Sequence, residues 1–136
     1  MLTGFCNQVV EIPFSSTMEY ADPFNQAVLQ VVFNAPDGSR IDLSAFWTGG
    51  EIWKVRFSPE QLGEYDYQTV CSDAQNKGLH GLKGKIKVLP YSGNNPLFKH
   101  GRIKVMNDQR HLQFTDGTPF FWLADTWWMG FTERLS

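Results

Sequence analysis

Residues 28–71 read VLQVVFNAPDGSRIDLSAFWTGGEIWKVRFSPEQLGEYDYQTVC, and this stretch decides the fold. Leu29, Val31 and Phe33, continuing from Ala27, alternate with Val28, Gln30, Val32 and Asn34. A period of two marks a strand buried mainly on one face. Pro36-Asp37-Gly38-Ser39 then turns the chain, and each residue has its reason. Proline presets φ, aspartate bonds its own backbone, and glycine takes positive φ. Ile41, Leu43 and Ala45 resume the period, and Thr48-Gly49-Gly50 turns the chain again. Trp53, Val55 and Phe57 face one way, with Ile52, Lys54 and Arg56 facing the other. Ser58 to Gly63 forms a corner. Beyond it Tyr65, Tyr67 and Thr69 alternate with Asp66, Gln68 and Val70.

The same grammar extends in both directions. Val10, Ile12 and Phe14 alternate with Val9, Glu11 and Pro13, and Ile86 and Val88 close the series between Lys85, Lys87 and Leu89. About six strands, with turn signals roughly every ten residues, predict an all-β chain whose residues 1–90 form an immunoglobulin- or fibronectin-like β-sandwich. Leu62 to Tyr67 has the spacing of a tyrosine corner, in which a tyrosine hydroxyl bonds the backbone across a bend. The alternative, that Tyr65 and Tyr67 are half-buried strand aromatics, stands beside it. Lys83, Lys85 and Lys87 read as a solvated edge that resists edge-to-edge pairing, with a phosphate or acidic-polysaccharide contact as the alternative.

Residues 91–101 read as a linker, since Tyr91-Ser92-Gly93-Asn94-Asn95-Pro96 is polar and punctuated by Gly and Pro. In residues 102–136 a β-hairpin comes first. Ile103 and Val105 alternate with Arg102 and Lys104, Asn107-Asp108-Gln109 turns, and His111 to Phe114 returns. After Asp116-Gly117 and Pro119, Phe120 to Ala124 is an apolar run without polar alternation, as in a strand buried on both faces. Trp127 to Phe131 begins another apolar stretch. A parallel strand needs a partner and a crossover of a dozen or more residues. The run is therefore expected to open a second, larger sheet whose remainder lies outside these residues.

Composition narrows the function classes. Aromatic residues make up 15% of the chain, with 11 Phe and 5 Trp, which suits a sandwich core or an aromatic ligand platform. Net charge is −2 with no basic run, so nucleic acid is not an expected partner. No apolar stretch is long enough for a membrane span. The first residues lack the basic and apolar regions of a signal peptide. That leaves the chain cytoplasmic as written, or secreted if a leader has been trimmed away. Cys6 and Cys71 lack zinc-ligand spacing and read as two buried free thiols, with a disulfide as the alternative if their strands are neighbours. His80, His100 and His111 are scattered, so no metal and no cofactor is expected.

Several stretches carry a family resemblance. VLQVVFNAPD (28–37), WKVRFSP (53–59), LGEYDY (62–67), LHG (79–81) and GKIKV (84–88) resemble the N-terminal β-sandwich of bacterial glycoside hydrolases of the apiosidase-like group. GTPFFWLADTWW (117–128) resembles the entry to their catalytic (β/α)8 barrel, so residues 102–136 would hold a hairpin and a truncated first barrel strand. The resemblance implies two carboxylates at the ends of later barrel strands, one acid/base and one nucleophile. A barrel takes about 250 residues, so the working pair is expected outside the chain. Glu11, Glu51, Glu64, Asp66 and Asp125 suggest no common site.

The expected function is a non-catalytic N-terminal fragment of a glycoside hydrolase, its sandwich supporting the barrel or assisting carbohydrate binding. Its partners would be carbohydrate, in the parent enzyme, and the missing catalytic barrel. Asp125, at the C-terminal end of the first strand, is a candidate to bind a sugar hydroxyl or orient a carboxylate; the alternative is a helix N-cap or a bond to the following backbone. Trp127 and Trp128 are candidates to stack on sugar faces, with packing as the alternative. Trp53 belongs to the core, and Trp47 reads as a strand-end packing residue rather than an exposed platform. Phe120 to Phe131 is expected to dock on the sandwich, add to a sheet edge or pair between chains. A free-standing immunoglobulin-like binding or adhesion module is the competing reading, and it has no use for PFFWLADTWW.

Overall fold

Alternating residues from two sheets meet in one core. The computed structural model describes residues 1–126, and the chain divides after Gly101 into two units. The first unit holds β1 (Leu2–Phe5), β2 (Val10–Ser15), helix α1 (Pro23–Gln26), β3 (Leu29–Asn34), β4 (Arg40–Ser44), β5 (Phe46–Trp47), β6 (Ile52–Phe57), β7 (Gly63–Cys71), β8 (Lys83–Leu89) and helix α2 (Pro96–Lys99). One sheet runs β1-β8-β7-β3-β4 and the other β2-β6-β5. Leu29, Val31, Phe33, Tyr65, Ile86 and Val88 point inward from the first. Ile12, Phe14, Trp53, Val55 and Phe57 meet them from the second. Phe33 stacks on Phe57 with centroids 4.2 Å apart, and Phe57 meets Tyr65 edge-on at 5.2 Å. This is a β-sandwich, and the predicted strand faces hold from Val10 to Val88.

β1 escaped the alternation rule. It pairs in parallel with β8, placing Gly4 opposite Val88. A Cβ on Gly4 would meet Val10 Cγ2 at 2.5 Å, so only glycine lets β1 lie this close. This pairing limits the edge reading of Lys83, Lys85 and Lys87. β1 runs beside β8 only from Ile86 to Leu89, with Thr3 opposite Lys87, so Lys87 guards no edge, whereas Lys83 and Lys85 precede the paired stretch and keep the edge reading. All three stand on the outer face of β8. The Lys85 ammonium lies between the Glu64 carboxylate and Asp66 Oδ1, the latter at 3.2 Å. The hydrogen bond to Glu64 is the main cause that raises the Lys85 pKa, with Asp66 adding to it.

The Tyr65 and Tyr67 alternatives are also decided. The Gln61 N–H donates to the Tyr65 hydroxyl at 3.1 Å, and Tyr65 is buried. That is the tyrosine corner; burial pushes the Tyr65 phenol up. Tyr67 is the half-buried strand aromatic, its ring lying where a side chain on Gly84 would sit. Gln61 Nε2 also donates to Asp37 Oδ2 at 2.7 Å, tying the corner to the 36–39 turn. Hydrogen bonds from Ser39, then from Gln61, lower the Asp37 pKa to about 2.

Both cysteines are free. Cys71 is buried, but Cys6 is only half-buried and its thiol donates to Glu60 O at 3.2 Å; burial raises its pKa. At the end of β2, Asn76 is buried in a polar knot. Its amide donates to Ser16 Oγ at 2.7 Å and to the Tyr20 hydroxyl at 2.9 Å, and its oxygen accepts from Thr17 N–H at 3.1 Å. The 91–101 segment carries α2, capped by Asn95, whose side chain accepts from Leu97 N–H at 3.0 Å. Asn7 Nδ2 donates to Phe98 O at 2.9 Å, so this segment is held within the first unit.

The second unit holds β9 (Ile103–Val105), β10 (Leu112–Phe114) and β11 (Pro119–Phe120), ordered β11-β10-β9. β9 and β10 make the antiparallel hairpin, with Gln113 opposite Lys104. Asp108 Oδ1 accepts from Arg110 N–H at 3.0 Å in its turn. Asp116 Oδ1 accepts from Thr118 N–H at 2.9 Å in the next, where Gly117 takes a φ of 91°. Phe114 is buried and meets Phe120 edge-on at 5.2 Å. The strand expected over Phe120–Ala124 stops at Phe120. Phe121, Trp122 and Leu123 are 82%, 67% and 86% exposed, so the run is not buried on both faces. Among the described residues no helix is long and apolar enough to cross a membrane.

Candidate functional site

Of the three residues proposed from sequence, Asp125 is described. Asp125 is exposed, and its Oδ1 accepts from the Thr126 N–H at 2.7 Å. That is the bond to the following backbone set out above as its alternative role. Trp127 and Trp128 lie outside the described residues. The other acids occupy separate faces. Glu11 stands on β2 with Lys54 Nζ at 2.6 Å and Arg56 Nε at 3.0 Å, and these bonds, Lys54 first, lower its pKa. Glu64 and Asp66 share Lys85 on the open outer face of the five-stranded sheet. Among the described residues no three of His, Cys, Asp or Glu are grouped to hold a metal ion.

The first unit carries concavities on both of its sheets. One is a shallow polar dish of about 490 Å³ on the five-stranded sheet, lined by Asn34, Asp66, Gln68, Lys83 and Lys85 above the Tyr67–Gly84 pair. Another is a smaller aromatic cleft of about 180 Å³ between α1 and β5. Local sequence builds the cleft. Asp22 caps α1, its side chain accepting from Asn25 N–H, and Pro23 supplies the preset φ of the first turn. The short helix leaves Phe24 75% exposed. After it the chain enters β3 with Ala27 buried and Val28 outward.

β5 forms the opposite wall. Trp47 pairs with Trp53 and Phe46 with Lys54. The Trp47 indole N–H donates to Gly50 O at 2.9 Å, across a turn in which Gly49 and Gly50 take φ of 108° and 55°. Trp47 is thus tied down at a strand end and keeps 37% of its surface open. The Arg56 guanidinium lies 5.0 Å from the Phe46 ring centroid, a cation–π arrangement. Trp53, buried, is the floor. Sequence reading weighed Trp47 but missed Phe24 and Phe46. The legible signal was Asp22-Pro23, a helix start at which the structure leaves Phe24 exposed.

The described geometry defines a class, an all-β sandwich followed by a small antiparallel sheet. Residues 6–72 match the model of a family described as Domain of unknown function (DUF5060). Among solved structures, a "putative glycoside hydrolase" from Bacteroides vulgatus superposes with a TM-score of 0.73 at 24% identity, over 89% of this chain and 22% of that one. The Lin-41 filamin domain superposes with a TM-score of 0.46 at 15% identity, over 64% of this chain and 82% of that one. No curated protein matches the chain. The Bacteroides likeness carries the fold, and this chain spans 22% of that protein's length.

Proposed function

We propose that this chain is the N-terminal, non-catalytic part of a glycoside hydrolase of the apiosidase-like kind, its sandwich supporting a catalytic barrel or assisting carbohydrate binding. The observation that supports the reading is the Bacteroides likeness, in which 89% of this chain corresponds to 22% of a much longer protein described as a "putative glycoside hydrolase". The exposure of Phe121, Trp122 and Leu123 supports it. Large apolar side chains left in water mark a surface that something covers, and the first strand of a larger parallel sheet has neighbours on both sides. On this reading Asp125, Trp127 and Trp128 stand at the rim of the carbohydrate site of the whole enzyme, and hydrolysis belongs to carboxylates on later strands.

The reading frame that encodes the chain is the test. A continuation of about 250 residues in strand–helix repeats is the expected result; a stop codon directly after Ser136 sinks the proposal and favours a free-standing binding module. The purified 136-residue chain is expected to release no reducing sugar from any polysaccharide. Cleavage by this chain alone would mean that its own carboxylates form a working pair.

A further inference from the structure

We propose that the cleft between α1 and β5 binds one neutral pyranose ring of a polysaccharide, with Trp47 as its platform. The inference rests on the carbohydrate reading above and adds to it a site and a ligand class. The platform is fixed before any ligand arrives. The Trp47 indole is tied to Gly50 O at 2.9 Å, and its backbone is in register with the buried Trp53. A ring that is already ordered loses little entropy on binding. Over a third of its surface is open nonetheless.

Size and lining select the ligand. At about 180 Å³ the cleft falls below the roughly 300–1,000 Å³ of pockets for drug-sized molecules, so it admits a single ring. Phe24, Val28, Phe46 and Trp47 form its walls over Ala27 and Trp53. None of these carries a charge; the Arg56 guanidinium beside the Phe46 ring is already paired with Glu11, so an ion entering would give up hydration for no open partner among the lining. A neutral pyranose avoids that cost. Its C–H face lies on the indole, Phe24 flanks it from α1, and its hydroxyls stay in water at the mouth. The polar dish on the other sheet is lined by Lys83, Lys85 and Asp66, and its one aromatic, Tyr67, is packed inward against Phe14 and Phe33.

The test is retention of the 136-residue chain on immobilised neutral and acidic polysaccharides, then calorimetry with an oligosaccharide of the best-retained one. Neutral glycans are expected to bind and acidic ones to gain nothing. Trp47→Ala should weaken binding about tenfold and Phe24→Ala about threefold, the scale of a single aromatic contact, while Trp47→Phe keeps most of it. Phe24 is so exposed that its removal leaves folding intact, which keeps the test valid if Trp47→Ala unfolds. Binding unchanged in both alanine variants overturns the cleft but leaves the carbohydrate reading standing. No retention on any glycan also overturns the cleft, and the reading frame then judges the hydrolase proposal separately. If Phe24→Ala alters the oligomeric state and no glycan binds, the cleft is a protein contact and the proposal is wrong.

Discussion

Phe33 and Phe121 sit in comparably apolar stretches, yet Phe33 is fully buried and Phe121 is largely in water. The difference lies in the supply of partners. Around Phe33 every second residue is polar or half-exposed, so the strand asks for one covered face, and β6 supplies it through Phe57. From Phe120 to Ala124 no polar residue intervenes, so the run asks for cover on both faces. The second unit offers β10 on one side of Pro119–Phe120 and the ring of Phe114 beneath. The strand ends where that cover ends. A period-two stretch can be satisfied within one small sandwich, whereas an unbroken apolar stretch describes an environment with more layers.

That contrast can be broken or sharpened by mutation. The largest effect is expected from Trp53→Ala, which should cost about 3–5 kcal/mol, as large-to-small changes in cores do. A domain of ordinary stability holds only about 5–15 kcal/mol, so the urea midpoint should fall sharply. A small shift would mean that the core is not centred on Trp53.

Next comes Tyr65→Phe, which deletes the acceptor for the Gln61 N–H and should cost about 1 kcal/mol; Tyr67→Phe should cost less. Equal losses would remove the distinction between corner and strand aromatic. A pH effect follows. The Asp37 carboxyl is lowered from 3.8 to about 2 in the folded chain. A depressed acid stabilises above its unfolded value and ceases to do so as pH falls through the folded one. The stability advantage of the native chain over Asp37→Ala should therefore be complete above pH 3.8 and vanish on approaching pH 2. A gap that widens in acid would reverse the sign.

The smallest change in stability is expected at the tail. Phe121→Ser with Leu123→Ser should move the urea midpoint by less than about 0.5 kcal/mol, as surface substitutions do, while lowering self-association in size-exclusion chromatography. Unfolding of the chain by this double change would show that the run is part of a core after all.

Much of the sandwich was legible because period two survives from Val10 to Val88, and because the turns at Pro36–Ser39 and Thr48–Gly50 use residues suited to their φ. What was not legible had other causes. Leu2–Phe5 carries no alternation, and its closeness to Val10 of β2 depends on the absence of a side chain at Gly4. Lys87 read as an edge residue along with Lys83 and Lys85 because a row of charges looks the same on an edge and on the outer face of a paired strand, and only Lys87 lies where β1 pairs. Tyr65 and Tyr67 are two residues apart on one strand, and only the bend at Gln61 tells them apart. Phe24 and Phe46 lie 22 positions apart in sequence and give no local hint that they wall one cleft with Trp47.

The amino-acid order by itself determined the strands, their inward faces and the turns, because those depend on neighbours one to four residues away. Only the tertiary structure decided which strand lies at an edge, which tyrosine bonds the backbone and where exposed aromatics gather. Those outcomes depend on contacts between distant segments, and local periodicity carries no record of them.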